Sequence, residues 1–252
     1  MRIIGWPQFL EGASPLGDTA YTVGVFDGVH RGHKALIELA VSHAGTVPVV
    51  ITFIQNSHKK ARSGYHGDIM SLRQKTAIFR ALDISITVVI EFSESFRHTS
   101  GAEFLRILHE RSNMRYMAVG SDFRCGCGLD TDAAAIRDFN AGRGVPTGIL
   151  PPFMEGDEPI SSSRIRAAIA GGDLKSAAVM LGRPFTLDLE GSASAAGVYN
   201  IAGRGLILPP PGRYPVLLRG KDAEKPATAL VEDGKLIFDG NPEDFRPEYA
   251  EF

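Results

Sequence analysis

Cysteine is nearly absent: two residues in 252, Cys125 and Cys127. That excludes a disulfide-stapled secreted scaffold. Only Gly126 separates the pair, which is too tight for an easy disulfide and too few ligands for structural zinc. The two read as reduced thiols in a loop. No apolar run approaches the roughly 20 residues a membrane helix needs. The start, Met1-Arg2-Ile3-Ile4-Gly5-Trp6-Pro7, lacks the apolar core of a signal peptide. No charge of one sign dominates: 27 Lys+Arg stand against 29 Asp+Glu, a net −2. A chain that coats nucleic acid needs a basic surface to displace counterions. Neither nucleic acid, nor membrane, nor a protein partner is therefore expected, and the setting that follows is cytoplasmic.

What is present is an ordinary globular mixture, 44% hydrophobic and 22% charged. The length suits one large domain, or one large and one small. Over the first two-thirds, short β-branched runs alternate with amphipathic ones. Tyr21–Phe26, Val47–Phe53, Ile84–Phe92, Arg115–Gly120 and Thr147–Leu150 read as strands. Lys34–Ala44, Ser71–Leu82, a segment from the capping box Ser100-Gly-Ala-Glu103 to Arg111, and Ala133–Ala141 read as helices. Two more helices follow, Ser163–Ala170 and Leu174–Leu181. Such alternation predicts an α/β fold with a mostly parallel, Rossmann-like sheet.

From Phe185 onward the pattern changes. Gly197–Ile201, Gly205–Leu208, Tyr214–Leu218, Ala227–Val231 and Leu236–Phe238 are short apolar runs cut by Gly and Pro. Asp233-Gly234 between two of them is a hairpin signal. The expected organisation is a large α/β domain, 1–185, and a small antiparallel β domain, 186–252.

Ligands of a parallel sheet bind beyond the carboxyl ends of its strands, and several chemical residues sit there. Gly24-Val-Phe-Asp-Gly28-Val-His30-Arg-Gly32-His33 joins a strand to a helix. Its glycines let backbone approach a ligand, and the helix start aims N–H groups at the same spot, which suits phosphate. If the turn is already helical, His30 and His33 share a face and can reach one phosphate group. Two imidazole N–H donors would stabilise charge at a pentacoordinate phosphorus. The pair is also half of a metal site, but no third ligand lies at a telling distance.

In Ile160-Ser161-Ser162-Ser163-Arg164-Ile165-Arg166, hydroxyls suited to capping precede two arginines. Cations are disfavoured at a helix start, so Arg164 and Arg166 make sense beside polyphosphate. Gly120-Ser121-Asp122-Phe123-Arg124 follows a strand directly. Asp122 there can hold Mg²⁺ or bind a ligand hydroxyl or ring N–H. Phe123 reads as a core aromatic or a ligand contact. Lys59, Lys60 and Arg62 form a basic loop, either a solvated face or a phosphate grip.

These motifs, in this order, resemble the nucleotidyltransferases with an H-x-G-H signature, and among them the bacterial FAD synthases. Gly24–His33 resembles G-x-F-D-G-x-H-x-G-H, Gly120–Arg124 resembles G-x-D-F-R, and Ile160–Arg166 resembles I-S-S-T-x-I-R. Leu181-Gly-Arg-Pro-Phe185 resembles the L-G-R-P-[YF] stretch that closes the domain. The resemblance implies that ATP and FMN, with Mg²⁺, give FAD and pyrophosphate. It implies catalytic roles for His30, His33, Ser162 and Arg166. Gly24, Phe26, Asp27, Gly28 and Ser163 would complete the ATP site. Asp122, Phe123 and Asn56 would face FMN, and Asp122 the metal.

Two departures bear on the acceptor. Thr52-Phe53 is followed by Ile54-Gln55-Asn56-Ser57-His58, where the family has T-F-x-P-H-P, and Cys125 replaces a frequent aromatic. After residue 185 there is no P-T-A-N motif of the family's riboflavin kinase barrel, so a degenerate barrel without that activity is expected. The competing readings are transfer to another phosphorylated acceptor, and a flavin- or nucleotide-binding protein without catalysis.

Overall fold

The computed structural model describes residues 1–12, 17–54, 67–195, 197–238 and 245–252. The chain folds as two compact units, Met1–Asn56 with Thr76–Pro159, and Ser57–Lys75 with Ile160–Phe252.

The first unit begins with β1 (Arg2–Gly5), α1 (Trp6–Leu10), β2 (Asp18–Val23), α2 (Arg31–Val41) and β3 (Val47–Ile54). It takes the later part of α3 (Leu72–Ala81), then β4 (Ile86–Glu91), α4 (Glu94–Arg97), α5 (Gly101–Arg111) and β5 (Asn113–Gly120). A small hairpin of β6 (Arg124–Cys125) and β7 (Thr131–Asp132) leads to α6 (Ala133–Ala141) and β8 (Thr147–Leu150). A second hairpin, β9 (Met154–Glu155) with β10 (Glu158–Pro159), ends the unit.

The large strands form one sheet in the order β1-β4-β3-β2-β5-β8, parallel throughout. A parallel sheet covered on both faces needs near-continuous apolar strands. β3 (VPVVITFI) and β4 (ITVVIE) supply them, and Val49, Val50, Ile51, Val88 and Ile90 are fully buried. The chain runs outward from β2 through β3 to β4, then returns to the other side of β2 with β5. The strand order thus reverses between β2 and β5, and a crevice opens at their carboxyl ends.

Caps set several helix boundaries. Asp132 Oδ1 accepts the Ala135 N–H at 2.9 Å and starts α6. Ser100 Oγ accepts from Glu103 N at 3.2 Å and starts α5, the first half of the predicted capping box. The Glu103 carboxylate bonds Arg106. The sequence reading differs at β2, which ends at Val23 rather than Phe26. The glycine at position 24 and the left-handed Phe26 take the chain out of the extended conformation.

One buried polar chain in this unit predicts a pH response. Asn140 is fully buried, donates to Thr147 Oγ1 at 2.9 Å, and lies 2.8 Å from His109 Nε2 through its Oδ1. That arrangement assigns the His109 proton to Nε2. Burial holds the His109 pKa below 6.5, the nearby Arg143 charge adds to the effect, and the Asn140 bond opposes both. The unfolded chain therefore binds the extra proton first. Stability is full above about pH 6.5 and falls as the pH drops below it. Urea midpoints between pH 7.5 and 5 measure the slope, and His109→Gln should flatten it.

The second unit contains the start of α3, then α7 (Ser162–Ala170) and α8 (Leu174–Leu181). Strands β11 (Thr186–Asp188), β12 (Ala193–Ala195), β13 (Val198–Asn200), β14 (Gly212–Arg219), β15 (Glu224–Glu232), β16 (Lys235–Phe238) and β17 (Tyr249–Glu251) follow. They make an antiparallel sheet in the order β11-β17-β14-β15-β16-β13-β12. Asp233 (φ 47) and Gly234 (φ 73) turn β15 into β16, both left-handed as a type I′ hairpin requires. The run Gly205–Leu208 is not a strand. Leu206 makes one isolated bridge to Asp68, because Gly67 (φ 113) lets the two backbones come together. A Cβ on Gly67 would lie 2.6 Å from the Leu206 carbonyl carbon.

An ionic cluster ties the early segment of this unit to its sheet. Asp188, 2% exposed at its side chain, accepts from Arg73 Nη2 at 2.7 Å and from Arg73 Nε at 3.2 Å. Ser71 Oγ and the Glu190 N–H also donate to it. Arg73 reaches Glu248 at 2.9 Å and stacks over the Tyr249 ring at 4.3 Å. Burial pushes the Asp188 pKa up, but the bonds from Arg73, Ser71 and Glu190 and the Arg73 charge outweigh it, leaving the carboxyl below its ordinary range.

Among the described residues, no helix is long and apolar enough to cross a membrane.

Candidate active site

The loop between β2 and α2 stands at the crevice. Gly24 N still donates to Ile51 O at 3.1 Å, and Thr52 Oγ1 donates to Val25 O at 3.1 Å, so β3 steers the loop away from the sheet. The loop then carries three left-handed residues, Phe26 (φ 52), Gly28 (φ 83) and Val29 (φ 37). For a β-branched Val this conformation is rare, and each such non-glycine residue costs on the order of 1–3 kcal/mol. Burial holds them there: Phe26 is 1% exposed and Val29 is 0% exposed. The Phe26 ring folds back onto Gly24, where any Cβ would lie 3.1 Å away. It also meets the Phe79 and His33 rings edge-on, at 5.7 and 5.2 Å. Asp27 is buried beside them.

His30 and His33 are brought together, though not as two residues of one helical turn. His30 has extended backbone (φ −72, ψ 176) and is the N-cap of α2. Its Nδ1 accepts the His33 N–H at 3.3 Å. The two rings stack, with centroids 3.5 Å apart and planes 19° apart. An Nδ1 that accepts must be bare, so the proton of neutral His30 resides on Nε2. His30 thus offers a single, oriented N–H donor at the positive end of α2. Gly32 fits closely at this turn. A Cβ there would lie 3.1 Å from Phe153 Cβ and 3.4 Å from the His30 ring.

Arg31 points to the segment after β8. Its guanidinium pairs with Glu155 and lies over the Phe153 ring, 4.9 Å from the centroid. A cavity of about 410 Å³ opens there, between Ala35 of α2 and the run Leu150–Met154. Its walls are apolar. None of Arg31, Phe153 and Glu155 stands out in the sequence. Their only signal is the Pro151-Pro152 pair after a strand, which marks the end of β8.

Asp122 and Phe123 follow β5, the neighbour of β2, and so share its end of the sheet. Asp122 is exposed, with Oδ1 3.0 Å from where a Gly120 Cβ would stand. Phe123 is half-buried against the main core. Cys125 packs against the same core, and burial with the Asp130 charge pushes its thiol up to about 11. It is no nucleophile at neutral pH.

At the ends of β3 and β4 the structure adds an aromatic group the sequence reading missed. Phe53 stacks on Phe92 with centroids 5.0 Å apart, and Phe96 meets Phe92 edge-on at 5.8 Å. Phe92 and Ile54 remain 36% exposed. Only the pairing of β3 with β4 juxtaposes these rings, and strand order is not written in a local pattern. Asn56, Lys59, Lys60 and Arg62 lie outside the described residues.

Ser162, Ser163 and Arg166 belong to the second unit, in the first turns of α7. Ser161 is the cap, its Oγ accepting from Arg164 N at 3.2 Å. Ser162 and Arg166 are half-buried and Ser163 is exposed.

A family model, FAD synthetase, matches residues 13–164. The chain belongs to the FAD synthetase family. Among relatives, the bifunctional riboflavin kinase/FMN adenylyltransferase of Escherichia coli K12 is 26% identical over 234 residues, 88% of this chain and 74% of that protein. The FAD synthetase of Listeria monocytogenes EGD-e is 26% identical over 168 residues, 65% of this chain and 68% of that protein. A crystal structure of a macrolide-efflux protein from Streptococcus pneumoniae matches with a TM-score of 0.78 at 21% identity. The match covers 100% of this chain and 89% of that one, a likeness of fold. The family's nucleotidyltransferase character agrees with a histidine pair at a helix start beside a strand-order reversal.

Among the described residues no cluster of three His, Cys, Asp or Glu could enclose a metal. Mg²⁺ does not need one, since it binds through one or two carboxylates plus substrate phosphates. Exposed Asp122 at the crevice fits that mode.

Proposed function

We propose that this protein transfers the adenylyl group of ATP to FMN, giving FAD and pyrophosphate, and has no riboflavin kinase activity. The observation that carries the reading is the His30–His33 stack, capped onto α2 at the β2/β5 crevice, within a chain of the FAD synthetase family. An FMN phosphate oxygen attacks the α-phosphorus, and the bond from that phosphorus to the β-phosphate oxygen breaks. No covalent enzyme intermediate is needed, so the protein's part is positioning and charge stabilisation.

His30 Nε2–H and the His33 ring meet the phosphates as negative charge builds on them. Gly24, Phe26, Asp27 and Gly28 shape the nucleotide site. By motif, Ser162, Ser163 and Arg166 hold the β- and γ-phosphates and the departing pyrophosphate. Asp122 binds Mg²⁺ or the flavin, and Mg²⁺ when bound offsets polyphosphate charge. Phe123 and Asn56 face FMN, and exposed Phe92, stacked on half-buried Phe53, suits a planar ring nearby. The transfer chemistry is assigned to residues 1–185. Residues 186–252 form a kinase-like β domain without the P-T-A-N segment that would bind nucleotide. Both substrates are small soluble metabolites, which supports a cytoplasmic setting and requires no protein partner.

An acceptor panel tests this. With Mg-ATP, FMN should yield FAD, while riboflavin yields no FMN. Phosphopantetheine and nicotinamide mononucleotide should give no dinucleotide. A dinucleotide from either of those, without FAD, would replace FMN as the acceptor. FMN made from riboflavin would refute the kinase half.

A further inference from the structure

We infer that Arg31 is a positioning residue for ATP. It latches the segment after β8 onto the first turn of α2, and so holds the apolar cavity in register with the histidine pair. This rests on the adenylyl-transfer reading above.

Arg31 and Ala35 are one helical turn apart and therefore share a face of α2. The cavity wall contributed by α2 is Ala35, and the opposite wall is Leu150–Met154. Arg31 crosses from one wall to the other. Its guanidinium pairs with Glu155 and covers the Phe153 ring at 4.9 Å. Phe153 in turn sits against Gly32, whose neighbour His30 caps the helix. One side chain thus links the cavity wall and the phosphate-facing turn. The β9–β10 hairpin is short, two residues on each strand, with a glycine turn at Gly156 (φ 62). Two-residue strands hold a position weakly by themselves, so the latch sets where the wall stands.

Arg31 and Glu155 are each about one-third exposed, at 37% and 35%. A pair of that exposure adds little to global stability. Its effect should instead appear in how well ATP is received, because a misplaced wall weakens binding before it changes the reacting atoms. The cation–π half explains why charge alone does not suffice, since a guanidinium both stacks and pairs.

The test measures KM for ATP, KM for FMN and kcat in Arg31→Met, Glu155→Gln, Arg31→Lys and the exchange Arg31→Glu with Glu155→Arg. Arg31→Met, which loses both the ion pair and the ring contact, should raise KM for ATP about three- to tenfold, and Glu155→Gln, which loses the ion pair alone, about two- to fivefold. The values of kcat and KM for FMN should stay within about twofold, with the melting temperature unchanged. Arg31→Lys should restore part of the affinity and the exchange a smaller part. Calorimetric titration with ATP and Mg²⁺ should show the same loss without any turnover. Unchanged ATP binding in Arg31→Met, or equal losses for ATP and FMN, would overturn the latch. If wild-type protein binds ATP but forms no FAD, the adenylyl-transfer reading fails, while the titration still decides the latch.

Discussion

Replacing His30 by Ala should lower kcat for FAD formation by about 10²-fold or more, the usual effect of removing one oriented donor to developing negative charge. The structure adds a second, separable loss. His30 Nδ1 caps α2 through the His33 N–H, and losing a cap costs about 1 kcal/mol. Its ring also stacks on His33. His30→Ala should therefore be both slow and somewhat less stable. His30→Asn keeps a side-chain acceptor at the cap position, so it should recover much of the stability but none of the rate. Both variants should bind ATP nearly as wild type does, because the donor matters most in the transition state. Steady-state kinetics beside thermal melts separate the two effects. An equal loss of ATP affinity and rate in His30→Asn would assign the ring a positioning role instead.

The second large effect concerns stability. Asp188→Ala should destabilise the second unit by about 2–3 kcal/mol, the cost of leaving buried donors without their acceptor. Asp188 is 2% exposed at its side chain and accepts from Nε and Nη2 of Arg73. Removing it leaves Arg73 to the Glu190 and Glu248 carboxylates and the Tyr249 ring, and leaves the Ser71 hydroxyl and the Glu190 N–H without their acceptor. A double substitution, Asp188→Leu with Arg73→Met, should recover part of the loss, because the guanidinium is removed together with its carboxylate and only the Ser71 hydroxyl and the Glu190 N–H still lack an acceptor. The pH dependence follows from the depressed pKa of Asp188. Its contribution is complete above the unfolded value of about 3.9. It is lost as the pH falls through the lower folded value. Chemical denaturation at pH 7 and 3 should show the gap between wild type and Asp188→Ala narrowing in acid.

Local patterns carried much of the fold. Helices α6 and α8 and strand β8 run over the residues that periodicity predicts, since each is bounded by a cap or a turn residue. Asp173 caps α8, and Gly182 (φ 68) ends it. The Asp233-Gly234 hairpin forms as its dipeptide requires. Strands β1 and β17 were not legible. β1 is a four-residue edge strand with Arg2 and Ile3 exposed, so it has no apolar alternation. β17 has three residues and exists through its pairing with β11 and β14.

The site divides in the same way. The glycines and histidines of the β2–α2 loop announce themselves, because their chemistry is tied to type and spacing. The left-handed Val29 does not, since valine is an unexpected choice there and only burial enforces it. Arg31 with Glu155, and Arg73 with Asp188, are 124 and 115 residues apart. No local rule pairs residues at such distances.

The most direct test of the central claim is a chromatographic assay of the purified protein with Mg-ATP and FMN, following FAD and pyrophosphate together. If adenylyl transfer to FMN is the reaction, the two products appear in equal amounts, at a turnover on the order of 0.1–10 per second. Folded protein that consumes ATP without making FAD, or makes none with either substrate varied, would contradict it.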